Sequence, residues 1–317
     1  MAYLVTGGAG FIGSHITERL LQRGETVIVF DNFNDYYDPR IKRDNMRRIQ
    51  NERLIVVEGD VRDATLVNQV VEENHITHIA HMAARANVRA SVAQVPLYMA
   101  VNLIGSMNIF EAAHQYGVEQ VVLASTSSVY GQTEVLPFVE SDSADRPLAA
   151  YPASKRAAEI LAHTYYHLHQ MNITILRFFN VYGPAGRPDM MPMRLMEATH
   201  TGETVTLFNG GDISRDWTYI DDTVDGVITA LDTPLGYQVI NLGTGNPIKL
   251  TAFVEIIEHL AGKTINKVMV ETPLSDPPIT FCNNQKARDL LGFDPQFNVR
   301  DGLQATWEWY QTFYKLV

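Results

Sequence analysis

An α/β fold with a doubly wound parallel sheet is the class this sequence predicts, and three observations predict it. An apolar strand at the start of the chain runs into closely spaced glycines. Strand-like runs then alternate with helix-like segments as far as about Arg177, and the composition is that of an ordinary globular chain. The first element reads Leu4-Val5-Thr6-Gly7-Gly8-Ala9-Gly10-Phe11-Ile12-Gly13 and passes into a periodic stretch over residues 11–23 that Gly24 stops. Gly7, Gly10 and Gly13, with Phe11 and Ile12 in the same turn, let the backbone approach a pyrophosphate whose charge the unpaired N–H groups of a helix start favour. That is a Rossmann-type opening. The strand at residues 26–30 leads to Asp31, placed to accept hydrogen bonds from an adenosine ribose and to repel a 2′-phosphate, so NAD is expected over NADP.

Residues 54–57, 76–81, 120–125 and 173–177 are the later expected strands. Ligands of such sheets lie beyond the carboxyl ends of the strands, where Asp31, Asp60, Ala83, Ala84, Ser125 to Ser128 and Asn180 stand. Beyond Asn180 the pattern loosens into loops with Gly183-Pro184, Arg187-Pro188 and Gly210-Gly211. The expected division is a dinucleotide-binding domain over residues 1–178 and a smaller substrate lobe over residues 179–317.

With 317 residues, 46% of them apolar, the chain can bury a substantial core. No stretch approaches the roughly 20 apolar residues that span a bilayer, and no charged and then apolar leader precedes the first strand, so a cytoplasmic protein without membrane partners is expected. Cys282 is the sole cysteine, which excludes an internal disulfide and a multi-cysteine zinc site. A formal charge of −11 argues against a general nucleic-acid binder.

Tyr151-Pro152-Ala153-Ser154-Lys155 carries the chemistry. Pro152 suits a first helical turn, which puts Tyr151 at the helix start and Lys155 one turn later on the same face. An ammonium near the phenol, with the positive charge of an oxidised nicotinamide, favours phenolate, which can take a proton from a sugar hydroxyl. A tyrosine and a lysine four apart also occur by chance on many helices. The glycine turn and Asp31 are what give the pair its meaning.

The chain resembles an extended short-chain dehydrogenase/reductase of the nucleotide-sugar epimerase and dehydratase group. The residues that carry the likeness are Thr6 to Gly13, Gly59-Asp60-Val61, His81-Met82-Ala83-Ala84, Ser125 to Gly131, Tyr151 to Lys155, Leu176 to Pro184 and Arg215-Asp216. The resemblance implies that Asp60 and Val61 flank the adenine and that Ala83 and Lys155 reach the cofactor ribose and phosphates. It extends the cofactor set to Asn32, Ala84, Asn102 and Ser125. It also implies that Thr126 shares the substrate hydroxyl with Tyr151, and that Asn180, Phe208, Arg215 and Asp276 hold the nucleotide diphosphate.

Sugar 4,6-dehydratases resemble this pattern but carry an Asp-Glu pair where Ser127 and Ser128 stand here. Elimination of water needs an acid and a base, which two serines do not supply. Decarboxylases of UDP-glucuronate likewise carry glutamate at the position of Ser128, so epimerisation at one carbon remains. The segments Asp31-Asn32-Phe33-Asn34-Asp35-Tyr36-Tyr37-Asp38, Gly186-Arg187-Pro188-Asp189-Met190 and Arg215 to Asp222 resemble UDP-glucuronate 4-epimerases in particular. Arg187 is the candidate for the sugar carboxylate, because guanidinium meets carboxylate in a bidentate fork, and Ser127 and Ser128 can add hydrogen bonds. Asn180 departs from this pattern, since glucuronate epimerases usually have threonine there and UDP-galactose 4-epimerases asparagine. Ser275 stands before Asp276 where the family has glycine.

The expected activity is therefore C4 epimerisation of a UDP-hexose through a 4-keto intermediate on tightly bound NAD+, with UDP-glucuronate as substrate and UDP-glucose/UDP-galactose as the alternative. A net oxidoreductase and a catalytically silent NAD-binding protein are the rivals of other classes. His163 and His167 share the spacing of a metal face without a partner set, and no metal is expected. Gly243-Thr244-Gly245 reads as a turn and not a second phosphate loop. Helix faces around residues 104–113 and 160–168 pair across a homodimer in the family that this chain resembles.

Overall fold

The computed structural model describes residues 1–271 and 277–314. Six strands follow the expected alternation, each within two residues of its expected bounds: β1 (Ala2–Thr6), β2 (Thr26–Asp31), β3 (Leu54–Glu58), β4 (His78–His81), β5 (Gln120–Thr126) and β6 (Ile173–Phe178). The intervening helices are α1 (Phe11–Gln22), α2 (Pro39–Arg48), α3 (Ala64–Glu73), α4 (Val88–Ser91), α5 (Val95–Met99), α6 (Gly105–Gln115) and α7 (Ala150–His169), with a π-helical turn, Ala100–Ile104, between α5 and α6. The rest of the chain adds β7 (Asn180–Tyr182), β8 (Val205–Phe208), β9 (Ser214–Tyr219), β10 (Tyr237–Leu242), β11 (Pro247–Lys249), β12 (Lys267–Val270) and β13 (Ile279–Thr280). Its helices are α8 (Met191–Thr201), α9 (Ile220–Asp232), α10 (Leu250–Ala261), α11 (Gln285–Leu291) and α12 (Val299–Phe313).

The large sheet runs β10-β6-β5-β4-β1-β2-β3, and all its pairings are parallel. Chain order reverses between β1 and β4, which opens a crevice at their carboxyl ends. Alternate residues feed opposite layers: Leu4, Ile28 and Ile79 pack with α3 and α6, while Tyr3, Val5 and Val29 pack with Ile16, Leu20 and Val227 of α1 and α9. Covered on both faces, β4, β5 and β6 are buried along their whole length, which is why β5 and β6 read as largely apolar runs, while the buried His81 that ends β4 is bonded through both ring nitrogens.

Residues 179–317 do not form a lobe set apart in sequence. Strand β10 returns to the large sheet, pairing Tyr237 to Leu242 with Ile173 to Phe178, and α9 packs on α1 with Arg23 paired to Asp232 at 2.8 Å. Gln238 and Asn241 break the apolar pattern of β10 and hide it. Asn241 is nonetheless fully buried, because its side chain accepts from the Tyr130 hydroxyl at 2.6 Å and donates to the Phe138 carbonyl at 3.1 Å. The remaining strands make smaller sheets centred on β9, flanked by β7, β11 and β13, and a β8–β12 pair.

Candidate active site

A cavity opens beyond the carboxyl ends of β1, β2, β4 and β5. Gly7, Gly10, Phe11, Ile12, Gly13, Asp31, Asn32, Asp60, Val61, Ala83, Ala84, Ser125, Tyr151 and Lys155 all line it. Its floor admits no side chain: a Cβ on Gly13 would lie 2.2 Å from the Gly7 carbonyl oxygen, and one on Gly7 would lie 2.8 Å from Ala83. Gly10 caps α1 without a side-chain hydrogen bond, so the first amides of the helix face the cavity. A bare helix start, a close-approach backbone and a buried lysine nitrogen with no partner among the described residues fit a dinucleotide.

Asp31 is more heavily engaged than the sequence suggests. Its carboxylate accepts from Lys42 Nζ at 3.0 Å and from the amides of Phe33 at 2.9 Å and Ala9 at 3.3 Å. Asp60 accepts from Arg62 through Nε and Nη2 and from Asn32 at 2.9 Å, and the Arg62 bonds above all hold its carboxyl down at about 2.

Asn102 differs from the other expected cofactor residues because it does not line the cavity. It is fully buried, accepts from the Arg85 amide at 2.7 Å, and donates to the Arg85 carbonyl at 3.0 Å and the Ser154 hydroxyl at 2.9 Å. Ser154 in turn donates to the Tyr151 carbonyl, so Asn102 ties the loop after β4 to the start of α7. His81 works beside it. Ser106 donates its hydroxyl to the Asn102 carbonyl at 2.6 Å, so the Ser106 oxygen accepts from His81 Nε2, which makes Nδ1 the acceptor from Thr6. Burial, and then Lys155, push His81 down to about 3, so this link is neutral.

Tyr151 lies in the first turn of α7 and Lys155 one turn on, 1% exposed. Burial raises the Tyr151 phenol, and the Thr126 hydroxyl and then the Arg187 guanidinium pull it back. Burial dominates, and the compensating groups in this structure are Thr126 and Arg187. Burial also pushes Lys155 down to about 8 against the opposing charge of Glu159. Glu159 is itself fully buried, accepting from Ser125 Oγ and, at 2.8 and 3.1 Å, from Arg177. Thr126 ends β5 and accepts the Ser128 amide at 3.2 Å, which turns the chain into the second cavity.

That cavity is lined by Ser127, Ser128, Asn180, Phe208 and Arg215, as expected, and by Asn87, Arg89, Asp189 and Arg194, which sequence reasoning missed. The Arg89 guanidinium lies 4.1 Å over the Phe208 ring, and Arg215 donates to the Ser214 carbonyl at 2.8 Å. Arg187 is placed differently from the other expected substrate residues. It lines the first cavity, with Tyr36 and Tyr151, and pairs with Asp189 at 2.9 Å. Asp276 and the neighbouring Ser275 lie outside the described residues. Asp189 and Tyr36 fall inside motifs that sequence reading had marked, but nothing in the sequence joins them. Lys42 gives no signal at all among the basic residues of α2.

Gly243 to Gly245 form a turn. The amides of Thr244 and Gly245 donate to the buried Asp216 carboxylate, both at 2.9 Å, so they point inward and not at a phosphate. Cys282 is buried against the same carboxylate, and burial, then Asp216, raise its thiol, which leaves no thiolate. No group of three or more His, Cys, Asp or Glu that could hold a metal ion occurs among the described residues, and no described helix is long and apolar enough to cross a membrane.

Comparison with known proteins agrees with this geometry. Over 99% of its length the chain is 39% identical to the UDP-glucuronate 4-epimerase of Thermodesulfobacterium geofontis, covering 98% of that protein. The Bacillus cereus UDP-glucuronic acid 4-epimerase, solved with UDP-glucuronic acid and NAD, superposes with a TM-score of 0.92 at 31% identity, over 99% of this chain and all of that one. The UDP-glucose 4-epimerase of Thermotoga maritima, solved with UDP-glucose, superposes with a TM-score of 0.91 at 28% identity, over 99% of this chain and 100% of that one. The sequence profile of the NAD dependent epimerase/dehydratase family matches residues 3–243, and the chain belongs to that family.

Proposed function

We propose that this protein is an NAD-dependent 4-epimerase that interconverts UDP-glucuronate and UDP-galacturonate. NAD+ supplies, when bound, the acceptor and then the donor of the hydride at C4 of the sugar. Gly7, Gly10 and Gly13 hold its pyrophosphate, Asp31 and Asn32 its adenosine ribose, Asp60 and Val61 its adenine, and Lys155 the ribose nearer the reacting sugar. Tyr151, as phenolate, takes the 4-hydroxyl proton and later returns it, with Thr126 holding the same hydroxyl. Phe208, Arg215, Asn180 and Arg89 anchor the nucleotide while the 4-keto sugar turns its other face to the cofactor.

The near-equal superpositions on a glucuronate and a glucose epimerase leave the fold silent about C6, so the choice rests on the site. The observation that carries it is Arg187, whose guanidinium shares a cavity with Tyr151 and acts on its phenol. A cation there, with Ser127 and Ser128 beside the second cavity, matches a sugar carboxylate. Asn180 in that cavity favours the second reading, a UDP-glucose/UDP-galactose 4-epimerase.

Proton NMR of the anomeric region tests both, after incubation of the purified protein with equimolar UDP-glucuronate and UDP-glucose and no added NAD. UDP-galacturonate alone supports the first reading, UDP-galactose alone the second. Tyr151→Phe should abolish turnover and retain the cofactor.

Residues 1–178 form the cofactor half and residues 179–317 the uridine half, with β10 and α9 lent to the first. The working unit is a cytoplasmic homodimer, in which a second copy covers Ile104, Ile160 and Leu168, which are 44%, 56% and 64% exposed. Light scattering of the eluted protein at twice the chain mass supports that state, and a monomer removes it.

A further inference from the structure

Three loops meet at Asp189. Tyr36, on the loop after β2, donates its hydroxyl to Asp189 Oδ2 at 3.0 Å, and Asn87, after β4, donates its side-chain amide to the same oxygen at 3.3 Å. Arg187, after β7, closes the other side with Nε 2.9 Å from Oδ1 and Nη2 3.2 Å from Oδ2. Tyr36 and Arg187 line the cofactor cavity while Asn87 and Asp189 line the second, so the carboxylate stands in the wall between them.

The supports are themselves fixed. Asn87 sits at φ 80° and caps α4 through its side-chain oxygen, which aims its amide at Asp189. The Arg85 guanidinium lies 4.7 Å over the Tyr36 ring. Burial pushes the Asp189 carboxyl up, but Arg187, Tyr36 and Asn87 more than reverse this, and the group is an anion. Arg187 therefore reaches the sugar with Nε and one face of Nη2 already taken. What it can offer is its outer edge, Nη1 with the second N–H of Nη2, in one fixed direction.

That restriction bears on fidelity. A 4-keto hexuronate is a β-keto acid, which loses carbon dioxide once the C5–C6 bond aligns with the carbonyl π system. The C5–C6 bond then breaks and its electron pair passes into the enolate of the 4-ketone. Carbon dioxide leaves and C5 takes a proton from water, giving a UDP-4-keto-pentose. No added oxidant is needed, because the ketone is made in the first half of the proposed reaction. A guanidinium free to turn would follow the carboxylate into alignment.

We propose that Asp189 is a positioning residue that locks Arg187, with Tyr36 and Asn87 as its supports, so that one fixed guanidinium edge holds the sugar carboxylate out of line with the 4-ketone. The proposal rests on the assignment of Arg187 to the carboxylate of UDP-glucuronate. It has a second consequence, because the Asp189 charge repels the substrate carboxylate that Arg187 attracts. Neutralising Asp189 should cost fidelity without weakening the binding of UDP-glucuronate.

The test uses holoenzyme carrying Asp189→Asn or Tyr36→Phe. NMR gives the ratio of UDP-4-keto-pentose to UDP-galacturonate, and calorimetry in a Tyr151→Phe background gives the affinities for UDP-glucuronate and UDP-glucose. Asp189→Asn should raise the ratio about tenfold or more, and Tyr36→Phe should raise it less, with UDP-glucuronate bound no more weakly than by the parent. An unchanged ratio overturns the proposal, as does equal weakening of both nucleotide sugars, the mark of a merely structural role. If Asp189→Asn does not fold, Tyr36→Phe decides by the same ratio. Parent enzyme that interconverts UDP-glucose and UDP-galactose but leaves UDP-glucuronate untouched overturns the assignment beneath the proposal, and that result needs no variant.

Discussion

Lys42 Nζ lies 3.0 Å from Asp31 Oδ1, and the two side chains are only 8% and 3% exposed. Removing one member of a buried pair leaves the other charge uncompensated, which costs roughly 3–5 kcal/mol. Lys42→Met should therefore lower the free energy of urea unfolding by that order and loosen the cofactor, since Asp31 would lose its orientation. A loss below about 1 kcal/mol, the range of an exposed pair, would show that Asp31 is held by its backbone amides alone.

Thr126 is one of the two groups that offset the effect of burial on the Tyr151 phenol. Thr126→Ala removes that offset, so the phenol titrates higher. The proposed mechanism needs phenolate, so the acid limb of the kcat profile should move to higher pH, with kcat at neutral pH down by about a hundredfold, the lower end for assistance to a proton transfer. An unmoved limb with lower kcat would assign Thr126 to substrate positioning only.

The parts of this site that could be read in the sequence are those encoded by neighbours in the chain. The glycine turn, the Asp31 strand end and the Tyr151-to-Lys155 spacing are local, so periodicity and turn chemistry place them. The links that set the electrostatics join residues far apart: Lys42 is on α2, Glu159 is a turn beyond Lys155 but faces Arg177 of β6, and Tyr36 meets Asp189 across two loops. Such contacts exist only once the sheet order is known. Strand β10 was hidden for the opposite reason, because its buried Asn241 has hydrogen-bond partners that sequence does not show.

Glu159 is the anion that opposes the burial of Lys155, whose ammonium is pushed down to about 8. Glu159→Gln removes a charge that favours the protonated lysine, so the lysine titrates lower still. If the ammonium is the working form, the alkaline limb of the activity profile should move to lower pH. The same change leaves Arg177, 1% exposed, without its counter-ion, so a stability loss of about 3 kcal/mol or more should accompany it. A stability loss with an unmoved alkaline limb would separate the structural ion pair from the chemistry of Lys155.

Asp216 holds the β9 sheet and the turn beside it together from a fully buried position. Its carboxylate accepts from the Thr244 amide and hydroxyl at 2.9 and 2.7 Å, from the Gly245 amide at 2.9 Å and from the Cys282 amide at 3.3 Å. It lies on β9 next to Arg215, whose backbone registers with Ile248 and Thr280 of the flanking strands. An amide in its place offers one acceptor oxygen where two are used, and each lost bond to a charged group is worth about 1.5–3 kcal/mol. Asp216→Asn should therefore cost about 3 kcal/mol of stability by that measure and, by releasing the turn at Thr244, let Arg215 move. Affinity for UDP, measured by calorimetry, should fall while the cofactor stays bound, because the turn is bonded to Asp216 and Asn284, neither of which lines the cofactor cavity. Unchanged UDP affinity in the folded variant would mean that β9 alone, through its strand pairing, is enough to aim Arg215.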